Sequence, residues 1–262
     1  MSKVIVVTGA SSGIGYYTAE HLVKMGHTVY ALSRRGTGPE GAKTFSCDVT
    51  KEDEVKAVIN AVFEKEKLID IVINCAGFGI SGAVEFTELE DAKRLFDVDF
   101  FGTVNVNKAV LPIMRAQKSG RIINISSVAA PAAIPFQTYY SAAKAAVDCY
   151  TLALRNEVRP FGIEVGSIQP GDIHTGFTDA REKSIVGDDI YKGRIEKSVN
   201  GMEHDELTGM DPSKAGLFVA THALKRHIKP QVVLGNLYKV AAVLLRILPV
   251  RFSNWLVYKL YG

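Results

Sequence analysis

The chain is poor in cysteine, with only Cys47, Cys75 and Cys149 among 262 residues. An odd number, with no cysteine or histidine at metal-ligand spacing, speaks against a disulfide framework and fits a reduced, cytoplasmic compartment. Charge of one sign is also lacking. Lys and Arg number 31 against 28 Asp and Glu, and a net charge of +3 is too small to mark a nucleic-acid binder. No apolar run approaches the roughly 20 residues that span a bilayer. The nearest, 237–260, is interrupted by Lys239, Arg246, Pro249, Arg251 and Lys259. Near the start, Val4–Val7 gives way to Thr8 and Gly9, short of the roughly 7–15 apolar residues of a signal-peptide core. His21, His27, His174, His204, His222 and His227 show no ligand spacing, so no metal is expected. There is no Gly-x-Ser-x-Gly elbow, which argues against a hydrolase.

What is present is alternation. Val4–Val7, Thr28–Leu32, Lys43–Cys47, Asp70–Asn74, Arg121–Ser126, Glu164–Ile168 and Gln231–Leu234 read as strands apolar on both faces. Between them lie helical patterns at Gly15–Met25, Lys51–Glu66, Glu88–Gln117, Thr138–Arg159 and Pro212–Lys225. Strand and helix in turn, with short connections, predict an α/β fold: a single-domain, doubly wound parallel sheet of the Rossmann type over 1–236. Residues 172–210 break the rhythm. They are polar, follow a strand at its C-terminal end, and are expected to form a substrate-side insert or lid.

From Pro212 onward there is no acidic residue, and eight basic ones give +8, leaving −5 for residues 1–211. Residues 237–262 form an apolar, basic helical extension with Leu237, Val240, Leu244, Ile247 and Leu248 at helical spacing. It has three readings: a cover for the substrate cleft, a contact with a partner subunit, or a rest on an anionic membrane surface. The first two together outweigh the third.

Thr8-Gly-Ala-Ser-Ser12-Gly13-Ile14-Gly15 follows the first strand and opens the first helix. Gly9, Gly13 and Gly15 permit a sharp turn and close approach of backbone to a pyrophosphate, and the helix start offers free N–H groups. The second strand ends in Ser33-Arg34-Arg35, where an acid would otherwise meet a ribose 2′-hydroxyl. A guanidinium there grips a 2′-phosphate, which predicts NADP(H) over NAD(H). Tyr140 and Lys144 stand one helical turn apart on one face. A free tyrosine, with a pKa of about 10, is a poor acid–base catalyst at neutral pH, and a fixed cation beside it favours the phenolate. Ser127 ends the strand before that helix, close enough to hold a substrate oxygen while Tyr140 exchanges a proton with it.

These motifs together resemble the classical short-chain dehydrogenase/reductase family over nearly the whole chain. Thr8–Gly15 matches its Thr-Gly-x-x-x-Gly-x-Gly, and Asn74-Cys75-Ala76-Gly77 its Asn-Asn-Ala-Gly. Asp48-Val49 fits the pair at the adenine, and Pro170-Gly171 with Ile173 and Thr175 fits the segment beside the nicotinamide. The resemblance implies Tyr140 as acid/base, Lys144 as its pKa modifier and a ligand of the nicotinamide ribose, and Ser127 as holder of the substrate oxygen. It also implies homodimers or homotetramers packed through the long helices around 88–117 and 138–159. Two departures stand out. Asp99 takes the place of the family's fourth catalytic residue, an asparagine, and when ionised only accepts hydrogen bonds. Cys75 replaces the second asparagine of its motif and reads as a packing residue.

Phe78–Ala83, Pro131–Phe136 and Phe177 offer apolar and small walls for a bulky apolar carbonyl. The run Ser127–Phe136 resembles the 17β-hydroxysteroid dehydrogenase-like branch, which implies steroid, retinoid or acyl-ketone substrates. The expected function is an NADP(H)-dependent oxidoreductase acting on a carbonyl or secondary alcohol of such a molecule. The competing expectation is an NADP(H)-binding sensor or scaffold protein with lost or weak catalysis, favoured by Asp99 alone.

Overall fold

Runs of Val and Ile form strands here because both of their faces are covered. In a computed structural model describing residues 2–262, β1 (Val4–Thr8) is buried along its whole length. It lies between β2 (Thr28–Ser33) and β4 (Ile71–Asn74), parallel to both. The remaining large strands are β3 (Lys43–Ser46), β6 (Gly120–Ile125), β7 (Ile163–Pro170) and β9 (Gln231–Leu234), and the short β5 (Ile80–Ser81) pairs with β8 (Glu182–Lys183). The order is β3-β2-β1-β4-β6-β7-β9, every pair parallel. This is the doubly wound α/β sheet, and its seven strands are the seven read from the sequence.

The strand period of two divides the sheet's side chains between two cores. Val4, Val6, Leu32, Val72, Ile122 and Val165 face α2 (Glu52–Glu66), α4 (Gly102–Gln117) and α6 (Thr138–Val158). Ile5, Val7, Ala31, Ile73, Ile123 and Ile168 face α1 (Gly13–Lys24) and α9 (Pro212–Ala223). Connections leave β1 and β4 in opposite directions, so a crevice opens beyond the strands' C-terminal ends between them. Every loop discussed below leaves the sheet at that end.

Two segments, 88–117 and 172–210, differ from the sequence reading. The pattern at 88–117 is not one helix: α3 (Leu89–Phe96) and α4 are joined by a π turn over Asp97–Phe101. The wider turn carries Asp99 inward to full burial, and the Asp99 carbonyl accepts a hydrogen bond from Thr103 Oγ1 at 3.1 Å. Residues 172–210 contain the single turn α7 (Phe177–Ala180) and the helix α8 (Arg194–Leu207) besides β8. The extension is two helices, α10 (Asn236–Ile247) and α11 (Val250–Tyr261), parted at Pro249. A further single turn, α5 (Ala129–Ala132), follows β6.

Candidate active site

β1 runs directly into the glycine turn. Gly9 and Gly13 hold φ of +65° and +55°, the left-handed region that glycine enters without penalty. A Cβ on Gly9 would lie 2.7 Å from the Ala76 backbone nitrogen, and one on Gly15 would lie 2.5 Å from the Gly9 carbonyl oxygen. α1 then begins with no side-chain cap and no acid in its first turn, so its leading N–H groups face the crevice unpaired by side chains. Exposed Arg34 and Arg35 follow β2 at the rim, and Arg35 donates to Ser11 Oγ at 3.2 Å, spanning the mouth of the turn. The Asp48 carboxylate is engaged in its own loop, accepting from Thr50 N at 3.0 Å and Thr50 Oγ1 at 2.9 Å.

The crevice is about 890 Å³ and continues from this turn to α6. Of the sequence-predicted cofactor residues, Gly9, Ser12, Gly13, Ile14, Gly15, Arg34, Arg35, Asp48, Val49, Ala76, Gly77, Tyr140, Lys144, Pro170, Gly171, Ile173 and Thr175 all line it. Asn74 does not. Its amide is buried beneath the floor, donating to Asn107 Oδ1 at 2.8 Å and Asn124 Oδ1 at 2.9 Å, where it ties β4 to α4 and β6. The neighbouring Cys75 thiol is pushed up to about 12 by burial, which suits a packing residue.

At the far end Tyr140 and Lys144 project from one face of α6. The Lys144 ammonium is 5.6 Å from the centre of the Tyr140 ring and donates to the Ile125 carbonyl at 3.3 Å. Ser127 lies on the loop after β6, its Oγ accepting from Ala129 N at 3.1 Å. Asp99 lies behind Lys144 and does not line the crevice. Its Oδ2 is 2.9 Å from Lys144 Nζ, and its Oδ1 accepts from Phe78 N at 2.9 Å.

This buried ion pair changes the electrostatics expected from the sequence. Burial opposes the Lys144 ammonium, but Asp99 and Tyr140 outweigh it and hold the amine above the usual lysine range. Burial likewise raises the Asp99 carboxyl, with Lys144 pulling against it. Tyr140 is not depressed. Burial pushes the phenol up, Lys144 draws it down, and Asp99 adds to the rise, with Ser127 near enough to oppose it slightly. The cation that was to favour the phenolate spends its field on a carboxylate 2.9 Å away.

Beyond Tyr140 the walls are apolar. Phe177 lies 5.7 Å from the Tyr140 ring, centre to centre, and Phe78 and Ile134 complete that side. Ala133 and Phe136 hold positive φ of 50° and 59°. This strained backbone is held by Ile134 N donating to Ser141 Oγ at 3.2 Å and Gly82 N donating to the Phe136 carbonyl at 2.8 Å. Ile80, Ala83 and Phe136, expected as pocket walls, instead pack against α6 and α8.

Sequence reasoning missed Met202 and Glu206 of α8, and it named no residue of the extension that reaches the crevice. Tyr238 of α10 and Tyr261 of α11 both do. The Tyr238 ring packs on Gly171, where a Cβ would clash with it, and its hydroxyl donates to Asp172. Within residues 172–210 Arg181 and Glu206 form a buried ion pair, with Thr178 Oγ1 donating to Glu206 at 2.8 Å. The repeat Ile195, Val199, Met202, Glu206, all buried, was the signal for α8.

A family model described as short chain dehydrogenase matches residues 3–185. The chain is 39% identical over 241 residues to a 3-ketodihydrosphingosine reductase of Bacteroides thetaiotaomicron, covering 91% of this chain and 90% of the other. It is 35% identical over 203 residues to estradiol 17-beta-dehydrogenase 2 of Mus musculus, covering 70% of this chain and 53% of that protein. Among solved structures, a short-chain dehydrogenase from Streptomyces avermitilis superposes with a TM-score of 0.79 at 29% identity, covering 94% of this chain and 96% of the other.

Proposed function

Because this chain belongs to the short-chain dehydrogenase family of oxidoreductases, we propose that it uses NADPH to reduce a ketone carried on a long apolar molecule. The observation that carries this reading is the meeting of Tyr140, Lys144 and Ser127 at one end of a crevice whose other end is an open glycine turn.

The residues fit a dinucleotide. Gly9, Gly13 and Gly15 leave the space that a Cβ would fill, and the start of α1 offers N–H groups and partial positive charge to phosphates. Arg34 and Arg35 suit a ribose 2′-phosphate, and Lys144 suits the second ribose. When bound, a reduced nicotinamide supplies the hydride that reaches the carbonyl carbon. Ser127 holds the carbonyl oxygen, and Tyr140 donates its proton to that oxygen. A phenol held above its ordinary range by burial stays protonated at neutral pH, the state that reduction requires. The similarity to a 3-ketodihydrosphingosine reductase supports an acyl-chain ketone over a steroid, and the walls of Phe78, Ile134, Phe177 and Met202 suit an alkyl chain. Phe101 and Leu152, exposed on the outer faces of the π turn and α6, support the expected homo-oligomer through those helices.

Tyr140→Phe tests the reading. NADPH oxidation driven by 3-ketodihydrosphingosine should fall by about 10²–10⁴-fold, the usual contribution of a positioned acid, while NADPH binding followed by its fluorescence persists. Undiminished turnover would overturn it. The second reading, a sensor with weak turnover, rests on Asp99 engaging Lys144, and saturating turnover of any ketone would remove it.

A further inference from the structure

The outward side of the C-terminal helix pair is built the wrong way round for water. In α10 the inner face is Tyr238, Ala242 and Leu245, while Leu237, Val240, Leu244 and Ile247, at i, i+3, i+7 and i+10, are exposed. In α11 Ser253, Val257 and Tyr261 turn inward, and Val250, Phe252, Trp255 and Leu260 stand exposed. Leu237, Ile247 and Val250 keep 76%, 71% and 82% of their surface in solvent. A surface helix of a water-soluble protein ordinarily shows a polar outer face. Here every charged residue on the outside is basic. Lys239, Arg246, Arg251 and Lys259 are all exposed, and Lys259 Nζ lies 5.9 Å from the Trp255 ring.

A second copy of the chain does not fit this face. A two-fold contact would set these four cations against their own equivalents, and no acidic residue exists from 212 onward to separate them. An anionic bilayer surface fits both halves of the pattern: apolar side chains enter the acyl boundary while Lys and Arg meet headgroup phosphates. We infer that α10 and α11 together dock the protein on anionic membranes, side chains inserted and helices lying in the surface plane. Among the described residues no helix is long and apolar enough to cross a membrane, so the contact is with one leaflet. The same helices send Tyr238 and Tyr261 into the crevice, so docking brings the crevice to the bilayer from which a long-chain ketone would be drawn. That last step rests on the reductase reading; the docking does not.

Trp255 is the chain's single tryptophan and reports the contact directly. The full chain is mixed with phosphatidylcholine vesicles, with and without about one third phosphatidylglycerol. Expected are a blue shift of Trp255 emission and flotation at least about tenfold greater on the anionic vesicles, both weakened by high salt. Two variants, Lys239→Glu with Arg246→Glu and Arg251→Glu, and Leu237→Ser with Ile247→Ser and Val250→Ser, should each lose flotation while turnover of a water-soluble ketone is unchanged. The docking is overturned if wild type neither floats nor shifts, if it floats equally on neutral vesicles, or if the serine variant converts a lipid-free dimer to monomer. Flotation without reduction of any ketone leaves the docking standing and removes the reductase reading.

Discussion

Replacing Asp99 by asparagine keeps the shape and removes one buried negative charge. Asp99 Oδ2 lies 2.9 Å from Lys144 Nζ, which lies 5.6 Å from the centre of the Tyr140 ring. The carboxylate is therefore within about 8.5 Å of the ring centre, where a unit charge at an effective dielectric of about 20 is worth about 2 kcal/mol. Asp99 raises Tyr140, so its loss lowers it, and the released ammonium acts in the same direction. In reduction the protonated phenol is the active form, so activity falls as pH rises through the Tyr140 pKa. That alkaline limb should move to lower pH in Asp99→Asn. In the oxidative direction the deprotonated form is active, and the rate at neutral pH should rise. Stability should drop by about 3 kcal/mol because Lys144 is left buried without its counter-charge. The measurement is kcat/KM against pH in both directions, whose shape is independent of the amount of folded enzyme, with urea denaturation alongside. An alkaline limb that stays in place would refute the reasoning that the Asp99 field reaches the phenol.

Arg34→Asp should raise the KM for NADPH at least about tenfold, the loss of one charge-assisted hydrogen bond of about 1.5 kcal/mol, and improve NADH use; unchanged preference in steady-state assays would refute the 2′-phosphate assignment. Glu206→Gln leaves Arg181 buried without a counter-charge, so hydrogen exchange in 177–207 should accelerate and the KM for the ketone should rise more than kcat falls. His222 is pushed down to about 4 by burial, with both ring nitrogens lacking a partner among the described residues. Between about pH 6.5 and 4 the unfolded chain binds a proton that the folded one refuses, so stability falls as pH falls through that window. His222→Phe should flatten the slope in thermal melts over that range.

The sheet was legible because strands buried on both faces leave continuous Val and Ile runs, and each run ends at a turn whose residues were also readable. The glycine turn and the Tyr140–Lys144 pair are short-range patterns, so spacing alone placed them. What escaped depended on distant partners. Asn74 belongs to a matching motif, yet its side chain answers to Asn107 and Asn124 rather than to the crevice. The direction of the Tyr140 shift depends on Asp99, 41 positions earlier in the chain, and on burial, neither of which a pairwise spacing reports. α8 hid behind its charge, although its buried residues repeat at helical intervals. Tyr238 and Tyr261 had no local signal at all, since only the packing of the last two helices turns them toward Gly171 and Met202.

That the last helix closes a chamber begun at Gly9 has a consequence for biosynthesis. A polypeptide leaves the ribosome amino end first, so the glycine turn is made before Tyr261 emerges. Even α9, which shares with α1 the cover of one sheet face, is translated only after β7. Nascent chains therefore leave that side of the sheet covered only in part, by α1, until residue 223 is free, and no partly made molecule has a walled chamber. Premature termination or clipping near Pro249 would leave the glycine turn intact and open the crevice to water where Tyr261 now walls it.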